Sequence, residues 1–160
     1  MTAVSYEARL TELGIELPGP FPPHDPLDAV VVHGGTARTS GSLPRNAAGV
    51  LHAEGILGRD VPTADGAESA GLAALNALSL LRAHLGSLDA IERILTMTVF
   101  VACVPDFVEQ PAVADGASGV LQEIFGDAGR HTRSAIGVAA LPRGAPVEVE
   151  ITAALRATRE

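Results

Sequence analysis

The sequence predicts an α+β domain, a sheet with two long helices packed on one face, and three segments carry that expectation. Residues 63–85 place Leu72, Leu75, Leu78 and Leu81 or Leu85 at helical spacing. Residues 91–103 are β-branched and almost continuously apolar, which predicts a central strand covered on both faces. Residues 132–141 and 146–155 read as two further strands, and the turn signal Pro142-Arg-Gly144 between them predicts an antiparallel pair.

The remaining elements follow in order. Ser5 is a possible N-cap for a short docking helix over 5–13, with Tyr6, Leu10 and Leu13 on one side and Gly14 as its stop. Residues 17–23 are too rich in proline, which lacks an N–H donor, to join a helix or ladder for long, so they run extended. Residues 29–33 read as a strand ended by Gly34-Gly35. Residues 36–61 are polar and glycine-rich with weak alternation, and suggest a hairpin or an irregular β excursion. Thr63 is placed to cap the first long helix, with Asp65 and Glu68 in its first turns. The second long helix is expected from Pro105 to about Phe125, carrying Phe107, Val113, Val120, Leu121 and Ile124 and ending at Gly126. With only two helices to cover so hydrophobic a sheet, self-association is the economical way to hide the other face.

Composition sets the outer bounds. The 160 residues, 47% of them hydrophobic, suit one domain over 1–160 with a core that needs neither disulfide nor metal. Cys103 is the sole cysteine, so an internal disulfide and a cysteine-based zinc site are both excluded. A net charge of −8, no lysine and 3% aromatic residues argue against a nucleic-acid or anionic-membrane partner. Without lysine there is no protein Schiff base and no covalently held pyridoxal phosphate. No stretch resembles a signal peptide or a membrane span, so a cytoplasmic protein is expected.

The last third holds the most informative chemistry. Strand alternation puts Arg133 on one side with Ala135, Gly137 and Ala139, leaving room beside a guanidinium whose fork suits a small carboxylate. Ser134 points the other way, which weakens it as a nucleophile beside Arg133. In Val147-Glu-Val-Glu-Ile151 the same period puts Glu148 and Glu150 together, either solvated or drawn to a charge. Spacing leaves open the plainer account of surface ion pairs that contribute little. His33, at a strand end, is either structural or a proton shuttle that titrates near neutrality. His24, His52, His84 and His131 lack metal-ligand spacing, so no metal is implied. Cys103, after an apolar strand, could be a nucleophile but reads first as a small buried hydrophobe. Gly34-Gly35 lacks the full spacing and the lysine of a phosphate loop.

Three segments together, Val30-Val-Val-His-Gly34, Thr96-Met-Thr-Val-Phe-Val101 with Pro105-Asp-Phe107, and the run from Arg133 through Leu141-Pro-Arg-Gly144 to Glu150, resemble the RidA (YjgF) reactive-intermediate deaminase family. The likeness spans roughly residues 19–155 and is most specific at its C-terminal end. It implies a chorismate-mutase-like fold, a homotrimer, and ligand sites in clefts between subunits. Carried over by position, it implies that Arg133 binds a substrate carboxylate and that Glu148 holds the attacking water. It further implies that the backbone at Gly34 and Ala135 lies at the ligand, and that Phe100 lines the cleft. The sequence departs from the family pattern where His33 replaces a serine before the glycine and where Gly19-Pro-Phe21 lacks a tyrosine hydroxyl. The N-terminal helix and the long segment 36–61 also exceed the compact pattern, as in a divergent branch.

The resemblance implies hydrolysis of a 2-enamine or 2-imine carboxylate to a 2-oxo acid and ammonia, with no cofactor. Such imines hydrolyse unaided, so orientation and charge placement suffice. An Arg133 beside Glu148 would favour the ionised carboxylate. The rival readings are a carboxylate-binding trimer without turnover, an enzyme of specialised metabolism acting on a larger imine or enol, and, last, a ribonuclease, against which the charge stands.

Overall fold

The computed structural model describes residues 4–158. In chain order it runs α1 (Tyr6–Leu13), β1 (Val30–His33), β2 (Thr36–Thr39), α2 (Thr63–Leu85), β3 (Ile91–Ala102), α3 (Gln110–Phe125), β4 (Thr132–Val138) and β5 (Val147–Leu155). The strands make one five-stranded sheet in the order β1-β2-β5-β3-β4. All neighbours are antiparallel except the parallel pair β3 and β4. The mixed α+β class expected from the sequence is the one observed.

Local rules account for the first elements. Ser5 caps α1 by accepting the Ala8 N–H, and its hydroxyl donates to Asp89 at 2.8 Å, which ties the helix to the turn before β3. Gly14 ends α1 in the left-handed region. Tyr6 packs on Phe125 of α3, ring centroids 4.5 Å apart. Gly34 and Gly35, both at positive φ, form the two-residue turn that joins β1 to β2. Of residues 36–61, Thr36–Thr39 are the regular strand β2, and from Ser42 to Val61 the chain makes only isolated bridges, Ser42 to Val149, Arg45 to Leu51 and Leu57 to Cys103 among them.

Helix α2 has the limits the sequence predicts, but its buried face differs. Pro62 holds the N-cap position, and the Thr63 hydroxyl donates instead to Glu109 at 3.2 Å. Ala70, Ala73, Ala74 and Ala77 are buried with Leu78 and Leu81, whereas Leu72 and Leu75 are only half-buried beside Gly116 and Val120. Small residues win the inner face because they let the backbones approach closely. A methyl group on Gly116 of α3 would strike the Ala67 carbonyl of α2. Helix α3 begins at Gln110 rather than Pro105, with Pro111 in the first turn, where a missing N–H costs nothing.

The sheet corrects two expectations. Strands β4 and β5 do not pair with each other: β3 lies between them, parallel to β4 and antiparallel to β5. The turn chemistry at 142–144 allows a reversal but does not choose the partner, and the long apolar β3 offers both neighbours more backbone to pair with. Strand β3 is also covered on one side only within the chain. Met97, Val99 and Val101 are buried while Thr96 is exposed and Thr98 and Phe100 are half-buried. On β5 the alternation is complete, with Val147, Val149, Ile151 and Ala153 inside the core. The opposite, open side of the sheet carries Thr98, Thr152, Glu148 and Glu150 together with Phe100, Ile136 and Val31, the last two exposed, so within one chain it is a mixed face, part polar and part apolar. Helices α2 and α3 pack on each other, α2 along β5 and α3 against β3 and β4. Among the described residues no helix is long and apolar enough to cross a membrane.

Candidate functional site

Alternation along β5 sends Glu148 to the open side, where it stands opposite Phe100 of β3, with Glu150 opposite Thr98. Glu150 is paired to Arg38 at 3.4 Å. Glu148 has no ion-pair partner among the described residues. Burial, and then the charge of Glu150, push the Glu148 carboxyl above its ordinary value. An ionised state favoured by Arg133 is therefore not what a single chain presents.

A cavity of about 430 Å³ opens beside this carboxyl, walled by Phe21 and His24 from the proline-rich segment, by Ser40 to Leu43, by Arg45 and Asn76, and by Arg143. Its wall is built by register. Ser42 and Val149 exchange backbone hydrogen bonds of 2.8 and 3.0 Å, which lays Gly41 against Glu148. A Cβ on Gly41 would collide with the Glu148 carboxylate, so any other residue there would displace that side chain. Phe21 is thus brought to Glu148, as is Phe100 on the sheet beside it.

His33 and Gly34 are not brought there. They lie at the β1–β2 turn, where Thr36 pairs with Ala154 and the Leu155 N–H donates to the Gly35 carbonyl at 2.8 Å. Six residue steps along β5 separate Ala154 from Glu148, or roughly 20 Å at about 3.3 Å per residue. The serine-glycine pair next to Glu148 is Ser40-Gly41, at the end of β2 rather than β1. Two glycine-bearing strand ends follow one another in the sequence, and only the pairing of Ser42 with Val149 tells them apart.

Arg133 lies on the other side of the sheet. It pairs in parallel register with Met97 and faces α3, donating to Asp115 at 2.8 Å and to Ser118 at 3.0 Å, with a longer 3.5 Å contact to the Pro111 carbonyl. Ser118 in turn bonds His131 at 3.0 Å, whose other ring nitrogen meets the Gly129 carbonyl at 2.6 Å. That chain fixes Nη1, while Nη2 makes only the long contact to Pro111 and Nε has no hydrogen bond among the described residues, which leaves that edge of the guanidinium for a ligand. Ala135 shares this side, paired with Val99. Ser134 faces away and is exposed, and Cys103 sits half-buried beside Gln110. Asp115, Ser118 and His131 escaped the sequence reading, because their role depends on α3 lying along β4. Among the described residues no three His, Cys, Asp or Glu side chains converge as metal ligands would.

Comparison with known proteins places this geometry. Residues 7–155 match the family model described as "YjgF/chorismate_mutase-like, putative endoribonuclease". The chain is 41% identical over 144 residues to Protein TCP17 of Trypanosoma cruzi, covering 89% of each. The crystal structure of Atu1372 from Agrobacterium tumefaciens, a protein of unknown function, superposes with a TM-score of 0.86 at 38% identity, over 94% of this chain and 92% of that one. A Shewanella oneidensis structure under the same endoribonuclease description reaches 0.90 at 32% identity, over 95% and 100%.

Proposed function

The chain belongs to the YjgF/chorismate-mutase-like family, and from that premise we propose that it hydrolyses a 2-enamine or 2-imine carboxylate to a 2-oxo acid and ammonia in a cleft between copies of the chain in a homotrimer. The observation that carries this reading is Glu148, a half-buried carboxyl with a raised pKa at the wall of a cavity lined by Phe21 and Ser40-Gly41. A carboxylate whose pKa is raised toward neutrality is a stronger general base than an exposed one. It takes a proton from water as the water oxygen bonds to the imine carbon. Glu148 gives that proton to the nitrogen, completing the carbinolamine, and then carries the carbinolamine hydroxyl proton to the nitrogen as the C–N bond breaks, so that ammonia and the carbonyl are released and the carboxylate is restored. An enamine first takes a proton on carbon to become the imine.

Arg133 supplies the substrate anchor, and its place on the opposite side of the sheet from Glu148 favours a site completed by a second copy. Its open edge offers two parallel N–H donors to a carboxylate, while Asp115 and Ser118 hold the other edge in place. No step calls for a cofactor.

The endoribonuclease description of the family meets a chain with net charge −8 and no lysine, poorly suited to tracking phosphates. The test is ammonia release from freshly generated 2-aminoacrylate or 2-aminocrotonate. The wild type accelerates it, and Arg133→Ala removes at least nine-tenths of the acceleration. Equal rates with and without protein overturn hydrolysis, and binding of 2-oxobutyrate in that event leaves a carboxylate-binding protein instead.

A further inference from the structure

The cavity beside Glu148 is lined by basic side chains to which the hydrolysis proposed above gives no role. Its volume, about 430 Å³, falls in the range of roughly 300–1,000 Å³ usual for small-molecule sites. Two guanidiniums, Arg45 and Arg143, line it, and neither has an ion-pair partner or a side-chain hydrogen bond among the described residues. They repel one another: burial, and then the charge of Arg143, lower the Arg45 pKa. Arg143 is held at φ +60°, the one non-glycine at positive φ among the described residues, and such conformations persist where the surroundings impose them. Arg45 also lies 5.6 Å from the centroid of the Phe21 ring, so the ring that lacks a hydroxyl serves as a platform for the guanidinium. Finally, Ser42 and Asn76, 6% and 4% exposed, are lining residues of the same cavity, and the Ser42 Oγ and Asn76 Oδ1 are buried with no hydrogen-bond partner. Unpaired buried polar atoms are costly, and a bound ligand would satisfy them.

We propose that Arg45 and Arg143 form a second anion site, which selects a substrate with two acid groups: a 2-imino acid whose chain ends in a carboxylate or phosphate. This rests on the reading of Glu148 given above and names the substrate class for it. The distal acid group bridges the two guanidiniums, removing their repulsion, and accepts from the Ser42 hydroxyl. Asn76 accepts an N–H that Arg45 does not use on the ligand. Arg45 and Arg143 are specificity-determining residues and take no part in proton transfer.

Calorimetric titration of the intact protein tests this with three stable product-like compounds: 2-oxobutyrate, with one acid group, 2-oxoglutarate, with a second carboxylate, and 3-phosphohydroxypyruvate, with a phosphate. At least one of the two-acid compounds binds tenfold or more tightly than 2-oxobutyrate, and which one it is assigns the distal group. In Arg45→Gln and in Arg143→Gly that preference falls at least tenfold. Arg143→Gly suits the positive φ, so its melting temperature does not fall, which separates lost selectivity from lost folding. Equal affinity for one-acid and two-acid compounds in the wild type, or a preference that survives both substitutions, overturns the proposal. A preference without any ammonia release refutes hydrolysis and leaves the anion site standing, whereas hydrolysis without a preference does the reverse.

Discussion

At the scale of single residues, Glu148 exchanges stability for reactivity. Its folded pKa lies above the 4.5 of an unperturbed glutamate, so the folded state binds the proton more tightly than the unfolded one. The stability this contributes is fully present below about pH 4.5 and is lost as pH rises through the folded value. Glu148→Gln, which cannot ionise, is therefore expected to melt at a higher temperature than the wild type at pH 7–8, with the gap closing toward pH 4. Thermal melts across that range check the sign; a variant less stable at neutral pH refutes it. The same substitution lowers the hydrolytic rate by roughly 10²–10⁴, the usual worth of a positioned general base.

Residue chemistry was only partly legible in the sequence. The alternation that set Glu148 and Glu150 apart from the valines holds, and so does the separation of Arg133 from Ser134. Invisible to alternation was which side of the sheet each strand offers its polar set, since that depends on β3 standing between β4 and β5. Ser40, Gly41 and Arg45 were missed for a related reason. They lie in an irregular stretch that is laid against Glu148 by the pairing of Ser42 with Val149, 107 positions away, and no period in the sequence records such a pairing.

At the scale of elements, the contact between α2 and α3 is governed by glycine. Gly116 faces the Ala67 carbonyl across the helix interface, while Gly119, one turn on, has nothing within 4 Å. Gly116→Ala is expected to cost roughly 1–3 kcal/mol by forcing the helices apart. Gly119→Ala should instead stabilise by up to about 1 kcal/mol, through helix propensity alone. Urea titrations of the two variants, read side by side, test this opposition of sign; two changes in the same direction would contradict the packing described. The limits of α2 were legible because helical spacing and the breakers Pro62 and Gly86 that bound it are local, although Thr63 does not cap it. Its inner face was not: leucine spacing marked a helix, but alanine and glycine decided which face could come close to its neighbours.

At the scale of the whole molecule, the opposed positions of Arg133 and Glu148 bear directly on assembly. If each site takes its arginine from one copy and its glutamate from another, Arg133→Ala and Glu148→Gln are each inactive alone. Mixed after unfolding and refolding together at equal amounts, they restore about a quarter of the sites, since each site draws its two contributors independently. Ammonia release measured on the mixture, with sedimentation to fix the number of copies, tests this. A mixture as inactive as its components means that both groups act within one chain or that one of them does not act.

The position of β5 carries a further consequence. It fills the gap between β2 and β3, so the hairpin of β1 and β2 has no neighbour until residues 147–155 arrive. On a ribosome, the nascent chain must therefore hold the facing edges of β2 and β3 without a strand partner until residues 147–155 have emerged. That interval invites chaperone engagement, and a stop codon ahead of Val147 would strand two unjoined halves rather than a shortened protein.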